Sequence, residues 1–397
     1  MRLTQDNIHA EFMRAGSLQR AGRLEEAAAL WREIVAAAPQ SPEARANLGG
    51  ALQELGRFDT AEAELRRAVE MKPEAAWAHH NLGRLYQLTY RWAEAEAAFQ
   101  AALARAPGDA KARLALGYNH LAQGDYAHGW PLYEARKEIP SQNAPPLALP
   151  NEWAGEPLAG KHLLIWPEQG FGDQIQFARF APVLREMGAD VTLVAPVELT
   201  ALFASLGVTV VEQPTGPITL PAPDYWTLLL SIPGRLGTTL ETLPQPPYLS
   251  VPPERRAKWV GHAPEGSVGV VWRGRASHGN DAHRSLPSFE ALAPLAEAGA
   301  RLVDLSDPVG DFADLGAVIE PLDLVVTVDT AAAHLAGALG KPCWVLLPWF
   351  RGDWRWLAGR DDSPWYPSLR LFRQPAFGDW ESPIKALAAA YAAQFHS

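Results

Sequence analysis

Three stretches of the 397-residue chain carry polar residues at spacings that could do chemistry. The first is EQGFGDQ: Glu168, Gln169, Gly170, Gly172 and Asp173 directly follow a short apolar run at 162–167. Two glycines there permit a tight turn with close backbone approach. Asp173 reads two ways. It could cap a helix, with Gln176 completing a capping box, or stand in a cleft and take a proton from a hydroxyl, with Glu168 as its fallback. The second stretch is DTAAAHLAGALG, after the apolar run 322–328. Asp329, Thr330 and Ala331 would open a helix whose free N–H groups and dipole suit a phosphate. Asp329 or Thr330 could equally be a plain cap, and His334 a packed core histidine. The third is the loop 273–285, where Arg273, Arg275, Arg284 and His278 or His283 offer cationic donors, or simply a solvated loop. Farther on, Trp349, Trp354, Trp356 and Trp365 interleave with Arg351, Arg355, Arg360, Arg370 and Arg373. Such a mixture suits a sugar or nucleotide cleft, or staples one lobe to another.

Elements must position these groups. The runs 162–167, 190–196 and 208–213, with a helix from about 173 to 187 and another near 198–206, make a βαβαβ unit and a parallel sheet. A second α/β unit contains the strands 267–272, 322–328 and 343–348. Ligands bind such sheets beyond the carboxyl ends of the strands. Upstream, Pro39, Pro73 and Pro107 recur every 34 residues, as do Ala27, Ala61 and Ala95 and the pairs Leu48-Gly49, Leu82-Gly83 and Leu116-Gly117. This is the pattern of tetratricopeptide (TPR) helix pairs. Gly22, Gly56 and Gly124 fall in the turns, with Tyr90 in that place in the third pair. Asn47 and Asn81 share one register position and are candidates for a partner-binding concave face; Asn119 lies off that register. The expected division is a TPR α-solenoid over 1–138, a linker with five prolines over 139–160, and Rossmann-like α/β lobes over 161–250 and 251–397.

The formal net charge of −10 argues against a general nucleic-acid binder. Cys343 is the only cysteine, which excludes an intrachain disulfide and a cysteine zinc site. No apolar signal core opens the sequence and no run of about 18 apolar residues occurs, so a cytoplasmic protein without a transmembrane segment is expected.

The stretches WPEQGFGDQIQFARFAPVL, VGVVWRGRASHGNDAHRSLP, LDLVVTVDTAAAHLAGALGKPCWVLLP and DWRWLAGRDDSPWYPSLRLFRQ resemble bacterial TPR-fused glycosyltransferases related to glycosyltransferase family 9. The resemblance covers most of 153–385. It implies a GT-B fold with the site between two lobes, and inverting, metal-independent transfer from a nucleotide-sugar. By similarity Asp173 aligns with the general base, and Asp329, Thr330 and His334 with the donor-binding helix start; Ala331 and Trp272 are further donor-site candidates, and Arg273 and Arg284 are candidates for contact with the phosphates. No Asp-x-Asp occurs, in keeping with no metal, and no cofactor is expected beyond the nucleotide-sugar substrate. The first lobe is short for the family, and so is the stretch between 302–306 and 311–316. The expected acceptor is a protein recruited by the repeats. A glycan or lipid-linked acceptor, or a non-catalytic TPR adaptor, are the competing readings. Asp173→Asn is expected to leave folding nearly unchanged and to lower turnover roughly 10²-fold or more.

Overall fold

The computed structural model describes residues 7–140, 149–214, 222–307 and 309–395. The chain forms two compact units, Met1–His120 and Leu121–Ser397.

The first unit is built of antiparallel helix pairs: α1 (Ile8–Arg20) with α2 (Leu24–Ala37), α3 (Pro42–Glu54) with α4 (Phe58–Met71), and α5 (Ala76–Leu88) with α6 (Trp92–Arg105). The 34-residue period has direct physical causes. Pro39, Pro73 and Pro107 each stand two residues beyond a helix end, where a missing N–H and a fixed φ stop the helix. Gly22, Gly56 and Gly124 turn the chain at φ 74°, 73° and 79°, and Tyr90 takes the same left-handed backbone at 59°. Gly49 and Gly83 mark the tight crossings. A Cβ on Gly49 would come within 2.7 Å of Leu65, and one on Gly83 within 2.8 Å of Phe99. That pairing explains why the small and bulky positions repeat together.

The next two helices, α7 (Ala110–Ala122) and α8 (Tyr126–Tyr133), continue the repeat register. The division into compact units falls at His120/Leu121, inside α7 and before α8, so α8 belongs to the second unit. Aromatic packing is the reason. Tyr126, Trp130 and Tyr133 of α8 meet Trp354 edge-on, and Tyr126 packs on Trp365.

The second unit holds two all-parallel sheets. One has β1 (His162–Trp166), β2 (Asp190–Ala195), β3 (Thr209–Glu212) and β4 (Tyr225–Leu228) in the order β3-β2-β1-β4. The other has β5 (Ser267–Val271), β6 (Arg301–Asp304), β7 (Leu324–Val328), β8 (Cys343–Leu347) and β9 (Leu369–Arg373) in the order β6-β5-β7-β8-β9. Strands β5, β7 and β8 are buried along their whole length, as parallel strands covered on both faces must be.

Three expectations change. The helix expected over 173–187 starts earlier and is divided into Phe171–Phe177 and Phe180–Glu186. Pro182 has no N–H to offer the Ala178 carbonyl, so the α-helical ladder is interrupted there. Strand β4 was not foreseen; its four residues pair with β1, from Leu163↔Tyr225 to Trp166↔Leu228. The described part of the expected linker is tied down. Trp153 is buried and its N–H donates to the Trp226 carbonyl (2.7 Å), while Glu152 bridges Trp226 in parallel. Residues 141–148 of that linker lie outside the described residues.

Candidate functional site

Strands β1 and β7 each run into a loop and a helix at their carboxyl ends, and the two helix starts meet. Gly172, in the helix Phe171–Phe177, lies so near the helix Ala331–Ala338 that a Cβ would fall 2.8 Å from His334 Cδ2 and 3.3 Å from Ala331 Cα. Only glycine fits that approach. Phe171 beside it meets Phe312 edge-on at 5.1 Å, and the Arg275 guanidinium lies over the Phe171 ring.

Asp173 is not the N-cap. Gly170 holds that position, and Asp173 stands at the third helical residue, where its Oδ2 accepts the Gly170 N–H (2.9 Å). Gln176, expected as its capping partner, is buried in the body of the helix. The other carboxylate oxygen of Asp173 pairs with Arg355 Nη2 at 2.5 Å. Arg355 is buried and also grips Asp353, with Nη1 3.0 Å from both oxygens. Burial raises the Asp173 pKa; Arg355 opposes that rise and Asp353 adds to it. The side chain stays 23 % exposed, while both carboxylate oxygens are engaged, by the Gly170 N–H and by Arg355.

Asp329 and Thr330 open the second helix. Thr330 is the cap, its Oγ1 accepting the Ala332 N–H (3.3 Å). Asp329 Oδ1 accepts from Trp356 Nε1 (2.9 Å), and its carbonyl accepts from Arg284 Nη1 (3.0 Å). Burial, with Asp353 nearby, pushes the Asp329 carboxyl up to about 6. His334 is buried, stacked on Trp356 at 5.1 Å and hydrogen-bonded through Nδ1 to the Tyr366 hydroxyl (3.1 Å). Burial and Arg355 lower its pKa to about 3, so it stands neutral. It packs as a core histidine at the seam. Two helix N-termini, each a positive dipole end, thus meet beside Asp173 and Asp329, with Arg355 between Asp173 and Asp353, and Arg284 paired with Asp281 and held on the Asp329 carbonyl.

The remaining expected residues separate from this group. Arg273 pairs with Asp307 at 2.6 Å and lies over the Trp272 ring. Trp272 donates from Nε1 to Asp304 (3.0 Å), so both serve the β5–β6 edge. His278 is held below its ordinary pKa by burial and by Arg284, which makes it a poor cation. His283 meets Phe350 edge-on. Glu168 cannot act as a fallback base: its buried carboxylate is taken by Arg136 and the Leu230 N–H. Gln169 reaches the Tyr133 hydroxyl (3.1 Å). Asn47 and Asn81 are half-buried at equivalent places on α3 and α5, whereas Asn119 is buried and donates to the Trp92 carbonyl (3.1 Å).

Sequence reasoning named Arg355 only as one of five arginines in the Trp/Arg stretch and did not name Asp353. It missed Arg179 altogether. That buried guanidinium, at the break between the two first-lobe helices, donates to the Trp365 carbonyl (2.9 Å) and lies over the Tyr248, Trp365 and Tyr366 rings. The staple reading of the aromatic stretch is therefore realised, with Trp365 also packed on Phe177. The one available signal was a run of aromatics too dense for a solvated loop.

Residues 18–82 and 80–135 match family models of the tetratricopeptide repeat, so the N-terminal region carries TPR repeats. The chain is 30% identical over 319 residues to protein FlbA of Caulobacter vibrioides, covering 68% of this chain and 53% of FlbA. It thus spans about half the length of that relative. A crystal structure of MamA is similar over 32% of this chain and 75% of its own, at 20% identity and a TM-score of 0.30. The Arabidopsis OM64 TPR domain is similar over 29% of this chain and 95% of its own, at 19% identity and a TM-score of 0.28. Among the described residues, no helix is long and apolar enough to cross a membrane.

Proposed function

We propose that the unit Leu121–Ser397 is an inverting, metal-independent glycosyltransferase of the GT-B kind, with a protein acceptor recruited by the TPR repeats. The observation that carries this reading is the meeting of two strand-to-helix junctions, one presenting Asp173 and the other Asp329, Thr330 and Arg284. The carboxyl ends of parallel strands are where α/β proteins bind ligands. In the proposed reaction the acceptor oxygen attacks the anomeric carbon as Asp173 accepts the hydroxyl proton. The bond from that carbon to the diphosphate oxygen breaks, and the charge leaves on the nucleoside diphosphate. The start of the helix Ala331–Ala338 and Arg284 would meet that charge. A TPR solenoid presents an extended concave surface to a partner, and Asn47 and Asn81 are the residues proposed to line it.

A second reading, a TPR adaptor with a transferase-like but inactive unit, is favoured by one observation. Gly172 packs against His334 with no room for a group between them, and Asp173 is engaged by Arg355. Transfer then requires the seam to open. Measuring thermal shift and sugar release across a panel of nucleotide-sugars separates the two. A donor that raises Tm and is turned over supports the enzyme. A donor that binds without turnover, even with candidate protein acceptors, leaves the adaptor, and a panel with neither effect sinks the transferase reading.

A further inference from the structure

We infer that Tyr133 and Arg136, at the end of α8 and in the turn after it, are positioning residues that set the loop Glu168–Asp173; their effect on turnover rests on the reading above. The Arg136 side chain is fully buried, and so is that of Glu168. Arg136 Nε and Nη2 donate to the two carboxylate oxygens at 3.0 and 2.7 Å, a bidentate fork that fixes direction as well as distance. Nη2 also donates to Ser231 Oγ (2.8 Å) and Nη1 to Glu134 Oε1 (2.6 Å), while the Leu230 N–H completes the Glu168 shell at 3.0 Å. The Arg136 guanidinium lies 4.6 Å from the Tyr133 ring centroid, and the Tyr133 hydroxyl accepts from Gln169 Nε2 (3.1 Å).

Gln169 needs that hold, because its backbone lies in the left-handed region at φ 60°, where a residue with a Cβ is strained. The loop is thus clamped at both ends by a buried arginine: Arg136 holds Glu168, and Arg355 holds Asp173. A buried ion pair is a poor way to gain stability, since apolar residues of similar volume do as well. What the fork supplies and an apolar pair cannot is the orientation of Glu168, and with it the path of the next five residues to Asp173. A helix in repeat register, with the turn after it, thus braces the loop that leads to Asp173.

The test uses the full chain and amide hydrogen exchange, with the Gly170 N–H as reporter because it bonds Asp173. Tyr133→Phe removes only the hydroxyl and keeps the ring against Trp354; Arg136→Lys keeps the charge and loses the fork. Both variants are expected to raise exchange at Gly170 about tenfold while β2 and β7 stay protected. In turnover they lower kcat and leave the KM for the nucleotide-sugar unchanged. Wild-type exchange at Gly170 in a folded Tyr133→Phe chain overturns the inference, and that variant decides alone if Arg136→Lys does not fold. If no nucleotide-sugar is turned over by the wild type, the transferase reading fails, while the exchange result still stands or falls on its own.

Discussion

Asp173 has two tasks in this structure, and they can be pulled apart. It accepts the Gly170 N–H, which an asparagine oxygen can also do, and it balances the buried Arg355, which an asparagine cannot. Burial raises the Asp173 pKa on balance, so neutralising it relieves a desolvation cost as well as removing one of the two carboxylates on Arg355, and Asp173→Asn is expected to leave stability to urea nearly unchanged. Turnover falls roughly 10²-fold or more if Asp173 is the base; a folded variant with wild-type turnover would remove it from the mechanism. Asp329 allows a test independent of activity. Its folded pKa of about 6 lies above the value of about 3.9 for an unfolded aspartate. Its contribution to stability is complete below that lower value and is lost as pH rises through 6. Asp329→Asn keeps an acceptor for Trp356 and removes the titration. The Tm difference, variant minus wild type, should climb between about pH 4 and pH 6.5 and then level off. A difference that stays flat over that window would mean the carboxyl is not raised.

The repeat helices show how a short element can carry its reason in one residue. Turn positions 22, 56, 90 and 124 all take left-handed backbone, and only Tyr90 has a side chain there. Its ring packs edge-on against Trp92 at 5.6 Å, so removing it costs contact as well. Comparing Tyr90→Gly with Tyr90→Ala cancels that loss and isolates the backbone. The glycine variant should be the more stable by about 1 kcal/mol, because only alanine has a Cβ to strain in the left-handed region. Equal thermal stability of the two would show that the turn relaxes. The division of the first-lobe helix at Ala178–Arg179 is a second such case. Pro182 breaks the ladder, and the resulting bend lets Arg179 reach the Trp365 carbonyl.

Two compact units of different kinds make up the molecule, and the site lies wholly in the larger one. The charges gathered where the helix starts meet include four carboxylates, Asp173, Asp281, Asp329 and Asp353, against Arg355 and Arg284. In the proposed transferase the helix dipole and these guanidinium groups take the place of a divalent ion at the leaving diphosphate. Turnover with the productive nucleotide-sugar should therefore be unchanged in excess EDTA. Complete loss that manganese or magnesium restores would overturn the metal-independent mechanism.

The repeat array was legible in the sequence because each of its contacts is local. Gly49 meets Leu65 and Gly83 meets Phe99, sixteen residues apart in both cases, so a 34-residue period records the packing itself. The strands β1, β2, β5, β7 and β8 were legible for a related reason: burial on both faces of a parallel sheet demands uninterrupted apolar runs. Strand β4 was not, since the apolar run YWTLLL over 225–230 suits a strand or a buried helix alike, and pairing with β1 is what makes its first four residues a strand. The same limit governs the site. Gly170, Gly172, Asp173, Asp329 and Thr330 stood out because strand–glycine–helix and strand–cap–helix junctions are local patterns. That Asp173 meets an arginine 182 positions later, that Glu168 is consumed by Arg136, and that Arg273 turns to Asp307 instead were decided by the tertiary structure. Charge pairing across such separations has no period and no spacing. It exists only once two sheets have brought their carboxyl ends together.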